Sequence, residues 1–118
     1  MIDLLRPDRP NPAPLRNARY IFLPLPAAGE LFAGAHYSDR QDENLAKVEE
    51  VVAMWSVLHP DLHTARVYGR LRGSAHQQLS TSRVNDLWIA ALCIQHDLPL
   101  LTNDGGFDQV PGLRTIHW

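Results

Sequence analysis

The stretch Arg83-Val84-Asn85-Asp86-Leu87-Trp88-Ile89-Ala90-Ala91, followed by Leu100-Leu101-Thr102-Asn103-Asp104, decides how this chain folds. One acid opens an apolar helix, and a second stands just past the strand that follows. Helix N-termini and strand C-termini are where α/β folds gather their reactive groups. Asn85 is suited to cap a helix over 86–96. Between Leu87 and Ile94 no side chain is charged, so this helix is expected to be buried nearly all round. A buried central helix that opens on Asn-Asp directs its acid towards the C-terminal edge of a sheet.

Working outward, Tyr20-Ile21-Phe22-Leu23 reads as a strand closed by Pro24. Pro26 suits the first turn of a helix over 27–37, with Leu31, Phe32 and Ala35 towards the core. Leu45, Val48, Val52 and Trp55 recur at helical spacing and predict a second helix over 44–56. Val57 and Leu58 suggest a brief strand, and a third helix follows over 62–79. Residues 98–102 and 114–118 read as strands. Residues 1–6 resemble the last turns of a helix, after which Pro7, Pro10, Pro12 and Pro14 favour an extended segment. Strands alternating with helices predict an α/β fold, a parallel sheet flanked by helices, in one domain over 1–118.

The 118 residues, 45 % hydrophobic, suffice for one buried core. The lone Cys93 excludes an internal disulfide framework and suits a reducing cytoplasm. It lies in an apolar run, where a small core residue is expected. No apolar run is long enough to span a membrane as a helix. The formal net charge of −2 argues against coating nucleic acid by bulk positive charge. Charge is segregated, however. Residues 39–50 hold Asp39, Asp42, Glu43, Glu49 and Glu50, whereas 62–85 hold no acid but carry Arg66, Arg70, Arg72 and Arg83.

Asp86, Asp104 and Glu30 are the candidate catalytic and metal-holding residues. Taken singly, Asp86 reads as a helix-dipole partner and Asp104, in Thr-Asn-Asp-Gly-Gly, as a turn residue. Glu30 is the only charged residue between Arg19 and Asp39, flanked by an apolar strand and apolar helix positions, which favours a shared cleft. Jointly they specify more. Phosphodiester hydrolysis needs an activated water and a stabilised leaving oxygen, and hard carboxylate oxygens suit the Mg²⁺ or Mn²⁺ that serves both needs.

Gly29-Glu30-Leu31 with Gly34-Ala35, Ser38 and Glu43-Asn44-Leu45 resembles the second acidic motif of the VapC-type toxins within the PIN-domain family. Asn85-Asp86-Leu87-Trp88-Ile89-Ala90-Ala91 resembles the third, and Leu101-Thr102-Asn103-Asp104 with Phe107 the fourth. The resemblance covers essentially the whole chain. It implies a PIN-like three-layer fold and a Mg²⁺- or Mn²⁺-dependent endoribonuclease, the toxin of a type II toxin–antitoxin pair. Its implied partners are RNA, a VapB-like antitoxin and a second copy of the chain.

Family members begin with a central strand ending in an Asp motif, whereas Ile2-Asp3-Leu4-Leu5-Arg6 resembles the helix after it. The expectation is therefore that this strand and its Asp are missing here, with Met1 an internal residue of a longer natural protein. Gly106 replaces an Asp found in many relatives, which leaves Asp104 to supply the fourth acid. The alternative is a catalytically impaired module that binds RNA or an antitoxin-like protein without cutting. Candidate substrate contacts are Arg66, Arg70 and Arg83, with Asn85 and Thr102 beside the acids. Tyr68 and Trp88 suit base stacking, but core packing is favoured for both.

Overall fold

A computed structural model describes residues 20–75 and 84–118, which fall into two compact units parting between Leu58 and His59. The opening helix, the proline segment, His76 and Arg83 lie outside the described residues.

In the first unit, strand β1 (Phe22–Pro24) leads directly into helix α1 (Leu25–Tyr37). Pro26 falls at the start of that helix, where a missing N–H costs nothing. Helix α1 begins two residues earlier than its pattern predicts, so Glu30 occupies the second turn rather than the first. Ala27, Ala28, Leu31 and Ala35 form its buried stripe, with Phe32 half-buried. The Ser38 hydroxyl donates to the Ala35 carbonyl at 2.6 Å and accepts from the Asn44 amide at 2.9 Å, fixing the turn into α2 (Gln41–Met54). Val48 is the buried centre of α2, which packs against α1. Strand β2 (Ser56–Leu58) then pairs in parallel with β1, Leu23 opposite Val57. Ser56 belongs to this strand and not to the preceding helix, because its N–H reaches back to the Ile21 carbonyl at 3.3 Å.

The second unit is built on two packed helices, α3 (Leu62–Ala75) and α4 (Val84–Gln95). Leu87, Ile89, Ala90, Ala91, Leu92 and Cys93 are all buried, as expected for a helix surrounded by its neighbours. Leu71 of α3 joins Leu87, Ala90, Ala91 and Val110 in one cluster, with Val67, Tyr68, Ile94 and Leu113 packed on it. Asn85 lies inside α4 rather than capping it, since Val84 is already helical. The other end of α4 closes as a Schellman motif. The Leu98 N–H returns to the Cys93 carbonyl at 2.8 Å, and Asp97 takes the left-handed conformation at φ 54°. Arg114 holds that residue by its carbonyl at 2.9 Å and its carboxylate at 3.0 Å.

This cap also explains why the next strand is shorter than predicted. Leu98 has spent its N–H and Pro99 has none, so β3 starts at Leu100 (Leu100–Thr102). After a 3₁₀ helix (Gly105–Gln109), β4 (Thr115–His117) returns in parallel, with Leu101 opposite Ile116. Gly112, at φ 81°, makes the turn between them that an L side chain would resist.

The start of α3 is tied to the end of α4 by side chains. Asp61 and Thr64 cap reciprocally: the Thr64 N–H donates to the Asp61 carboxylate at 3.1 Å, and the Asp61 N–H to the Thr64 hydroxyl at 2.9 Å. Gln95 completes the group, its amide N–H donating to Asp61 at 3.0 Å and its carbonyl facing the fully buried Thr64 hydroxyl.

Two measurements test this framework. Leu92 is fully buried, and Leu92→Ala is expected to cost about 2–5 kcal/mol by denaturant unfolding. Asp61 is held below the usual carboxylate range, chiefly by the Thr64 N–H and then by Gln95 and the Thr64 hydroxyl. A depressed folded-state value means that this stabilisation is present above the ordinary Asp value near ~3.9 and is lost as pH falls through the lower folded value. Asp61→Asn should flatten the acid limb of stability against pH, and an unchanged limb would remove Asp61 as its source.

Candidate active site

Asp86 occupies the first turn of α4, half-buried, and is the only charged side chain of that helix. The residues behind it form the core of the unit, so its Cα position is fixed by packing rather than by a loop. Asp104 follows β3 and caps the 3₁₀ helix. Its Oδ1 accepts the Gly106 N–H at 2.8 Å, while its own N–H donates to the Thr102 hydroxyl at 3.0 Å. Thr102, only 8 % exposed, thereby holds the backbone of the exposed Asp104. The turn chemistry and the candidate acid are thus one residue.

Asp86 and Asp104 belong to the same unit, entering it from a helix start and a strand end. Glu30 belongs to the first unit, half-buried on α1. Asn85 is exposed one residue before Asp86, and Arg66 and Arg70 are exposed on α3. Within neither unit, among the described residues, do three His, Cys, Asp or Glu side chains form a ready-made metal cage. Carboxylate oxygens nevertheless fit the metal chemistry. Mg²⁺ characteristically takes one or two protein carboxylates directly and keeps water or substrate oxygens in its other positions.

A second polar group was not legible beforehand. The Thr115 hydroxyl donates to Asp108 Oδ1 at 2.7 Å, and His117 Nε2 lies 2.9 Å from the same oxygen. Thr115 first and His117 second hold the Asp108 carboxyl below its usual range. These contacts fasten β4 to the 3₁₀ helix that Asp104 caps. The one available sequence signal was the spacing of Thr115 and His117, which places both on one side of a strand.

Tyr68 and Trp88 stack on each other, with ring centroids 4.2 Å apart and planes 9° from parallel. Each therefore covers one face of the other between α3 and α4, in keeping with the packing role favoured for both. Cys93 is buried, and burial pushes its thiol up to about 11.

Parallel strands with helices packed against them define an α/β protein, with one candidate carboxylate at a helix start and another past a strand end. A model of the PIN domain matches residues 1–113, and the chain belongs to the PIN-domain family. Ribonuclease VapC5 of Mycobacterium tuberculosis is 34 % identical over 80 residues. That match takes in 68 % of this chain but 58 % of the relative, so the chain spans less than two thirds of that protein's length. Ribonuclease VapC2 of Haemophilus influenzae is 29 % identical over 90 residues, covering 75 % of this chain and 68 % of the relative. Among solved structures, DNA-bound VapBC from Salmonella typhimurium is similar at a TM-score of 0.78 and 26 % identity, over 91 % of this chain and 86 % of that one. VapBC-5 from Mycobacterium tuberculosis, a member of a toxin–antitoxin family, gives a TM-score of 0.64 and 30 % identity, over 78 % and 75 %.

The Cys93 environment yields a direct check. At pH 8 a thiol with a value near 11 is about 0.1 % thiolate. Iodoacetamide should therefore leave the folded chain unmodified and alkylate Cys93 on denaturation. Rapid alkylation of the folded chain would show that the thiol is accessible.

Proposed function

We infer that this protein is a metal-dependent endoribonuclease that hydrolyses RNA phosphodiester bonds, the toxin of a type II toxin–antitoxin pair. The observation that carries this reading is Asp86, the sole charge on a core helix, in the same unit as Asp104. The VapC relatives named as ribonucleases support it. Asp86 and Asp104 would hold Mg²⁺ or Mn²⁺, and Glu30 is retained as a candidate ligand on the strength of its sequence motif alone. When bound, the ion supplies a nucleophilic water and offsets charge on the leaving oxygen.

The chain's own residues give the site its order. The buried face of α4 keeps Asp86 from swinging with a loop, and the Gly106 N–H leaves the second oxygen of Asp104 outside that hydrogen bond. Thr102 keeps Asp104 at the end of β3. The VapBC structures support a VapB-like antitoxin as partner, and we extend the proposal to a homodimer acting in the cytoplasm.

A second reading is a module that binds RNA or an antitoxin-like protein without cutting. One experiment separates the two. The chain is incubated with a structured RNA and Mg²⁺ or Mn²⁺, beside its Asp86→Asn variant. The nuclease reading expects cleavage that chelation abolishes and that the variant lowers at least ~100-fold, with its thermal unfolding unchanged. Binding without cleavage by the parent chain selects the second reading. Undiminished cleavage by the variant removes Asp86 from the site.

A further inference from the structure

Asp104 is exposed and stands at the head of a segment with little stiffness of its own. Gly105 and Gly106 follow it as the first residues of the five-residue 3₁₀ helix. Glycine loses more conformational freedom on ordering than any other residue. Space does not demand it at Gly105, where a Cβ would meet nothing within 4 Å. A 3₁₀ turn adds hydrogen bonds of poorer geometry than those of an α-helix. Local forces alone would hold this acid loosely.

A circuit of contacts stiffens the turn. The Thr102 hydroxyl accepts the Asp104 N–H, and Asp104 Oδ1 accepts the Gly106 N–H. Two residues on, Asp108 Oδ1 receives the Thr115 hydroxyl at 2.7 Å and lies 2.9 Å from His117 Nε2. Thr115 and then His117 hold this carboxyl below its usual range, so at neutral pH it is ionised and only accepts. Strand β4 closes the path, since His117 is the partner of Thr102 across the parallel pair. The circuit thus runs through Thr102, Asp104, Gly106, Asp108 and His117 and returns to Thr102. Burial of Phe107 anchors its middle. Opening the circuit at Asp108 leaves Asp104 tied to β3 and the pliable glycines, with no polar tie from the turn to β4.

We propose that Asp108, clasped by Thr115 and His117, is a positioning residue for Asp104 and thereby sets the affinity of the acidic site for a divalent cation. The proposal rests on the metal-holding role given to Asp104. A cation that takes only one or two protein carboxylates depends on their being in place beforehand. Any ordering left until binding subtracts from affinity. Asp108 acts through the turn and is not itself a ligand.

The test uses the full chain and two readouts. Hydrogen exchange of the Gly106 amide, measured without metal, reports the bond to Asp104. Loss of the free-ion electron paramagnetic resonance signal reports Mn²⁺ binding. Asp108→Ala is expected to speed Gly106 exchange and to weaken Mn²⁺ about 10-fold, the low end of what outer partners of metal ligands contribute. Thr115→Val should act in the same direction, and Thr115→Ser should restore both readouts. Asp108→Asn keeps an oxygen for both donors and should retain most of the affinity. A loss as deep as that of Asp86→Asn would make Asp108 a ligand and overturn the positioning role. Arg114→Gln breaks a different clasp, to Asp97, and should lower stability while leaving Gly106 and Mn²⁺ unchanged. Equal weakening of Mn²⁺ by Arg114→Gln would mean general loosening, and the proposal would fall. Mn²⁺ binding that Asp86→Asn removes but Asp108→Ala leaves intact overturns the proposal and spares the metal site. If the parent chain binds no Mn²⁺ while Gly106 still responds to Asp108→Ala, the metal-holding role of Asp104 fails and the clasp's hold on it stands.

Discussion

The burial of α4 is the constraint on which the second unit depends. Six of its residues are buried, and Ala90, Ala91 and Leu92 are fully so. Small side chains at 90 and 91 let α3 approach closely, while Leu87 and Leu71 fill the space beside them. A helix held in this way has little freedom to shift. Whatever stands at its first turn is therefore placed by the core, and in this chain that residue is the acid Asp86. Burial of the helix and placement of the charge are two outcomes of one apolar run.

The edges of the unit are secured by polar contacts instead. Asp61, Thr64 and Gln95 join the start of α3 to the end of α4, and Arg114 joins the end of α4 to the approach to β4. Asp108 binds β4 to the 3₁₀ helix through Thr115 and His117. The strands themselves are three residues each, too short for ladder hydrogen bonds alone to fix them. Side-chain clasps outside the ladder supply the remaining order, and one of them adjoins the turn that presents Asp104.

How far the sequence revealed this depends on the range of each interaction. The α/β order, the parallel pairing and the buried character of α4 follow from hydrophobic period and element order, which are local signals. Boundaries were displaced wherever a backbone donor was claimed from outside the element. Leu98 left its predicted strand because Cys93 takes its N–H, and Ser56 left its predicted helix because it donates to Ile21. Asn85 was misread as a cap because a good capping residue can also stand one position inside a helix. At the candidate site, the turn chemistry of Thr102-Asn103-Asp104 was readable residue by residue. The meeting of Thr64 with Gln95 was not, since nothing in either neighbourhood announces a partner 31 positions away. The acid-free interval containing Arg66 and Arg70 was visible as a charge pattern, but only the helix showed which of its arginines are left without carboxylates.

The Tyr68–Trp88 stack has a further consequence. Two aromatic rings 4.2 Å apart and nearly parallel couple their electronic transitions, and this pair straddles the junction of α3 with α4. The chain thus carries a native chromophore at the contact between the helix that bears Arg66 and Arg70 and the helix that bears Asp86. Near-ultraviolet circular dichroism reports on that junction without any label. Separating the helices removes this pair's contribution to the signal even where their helical content survives.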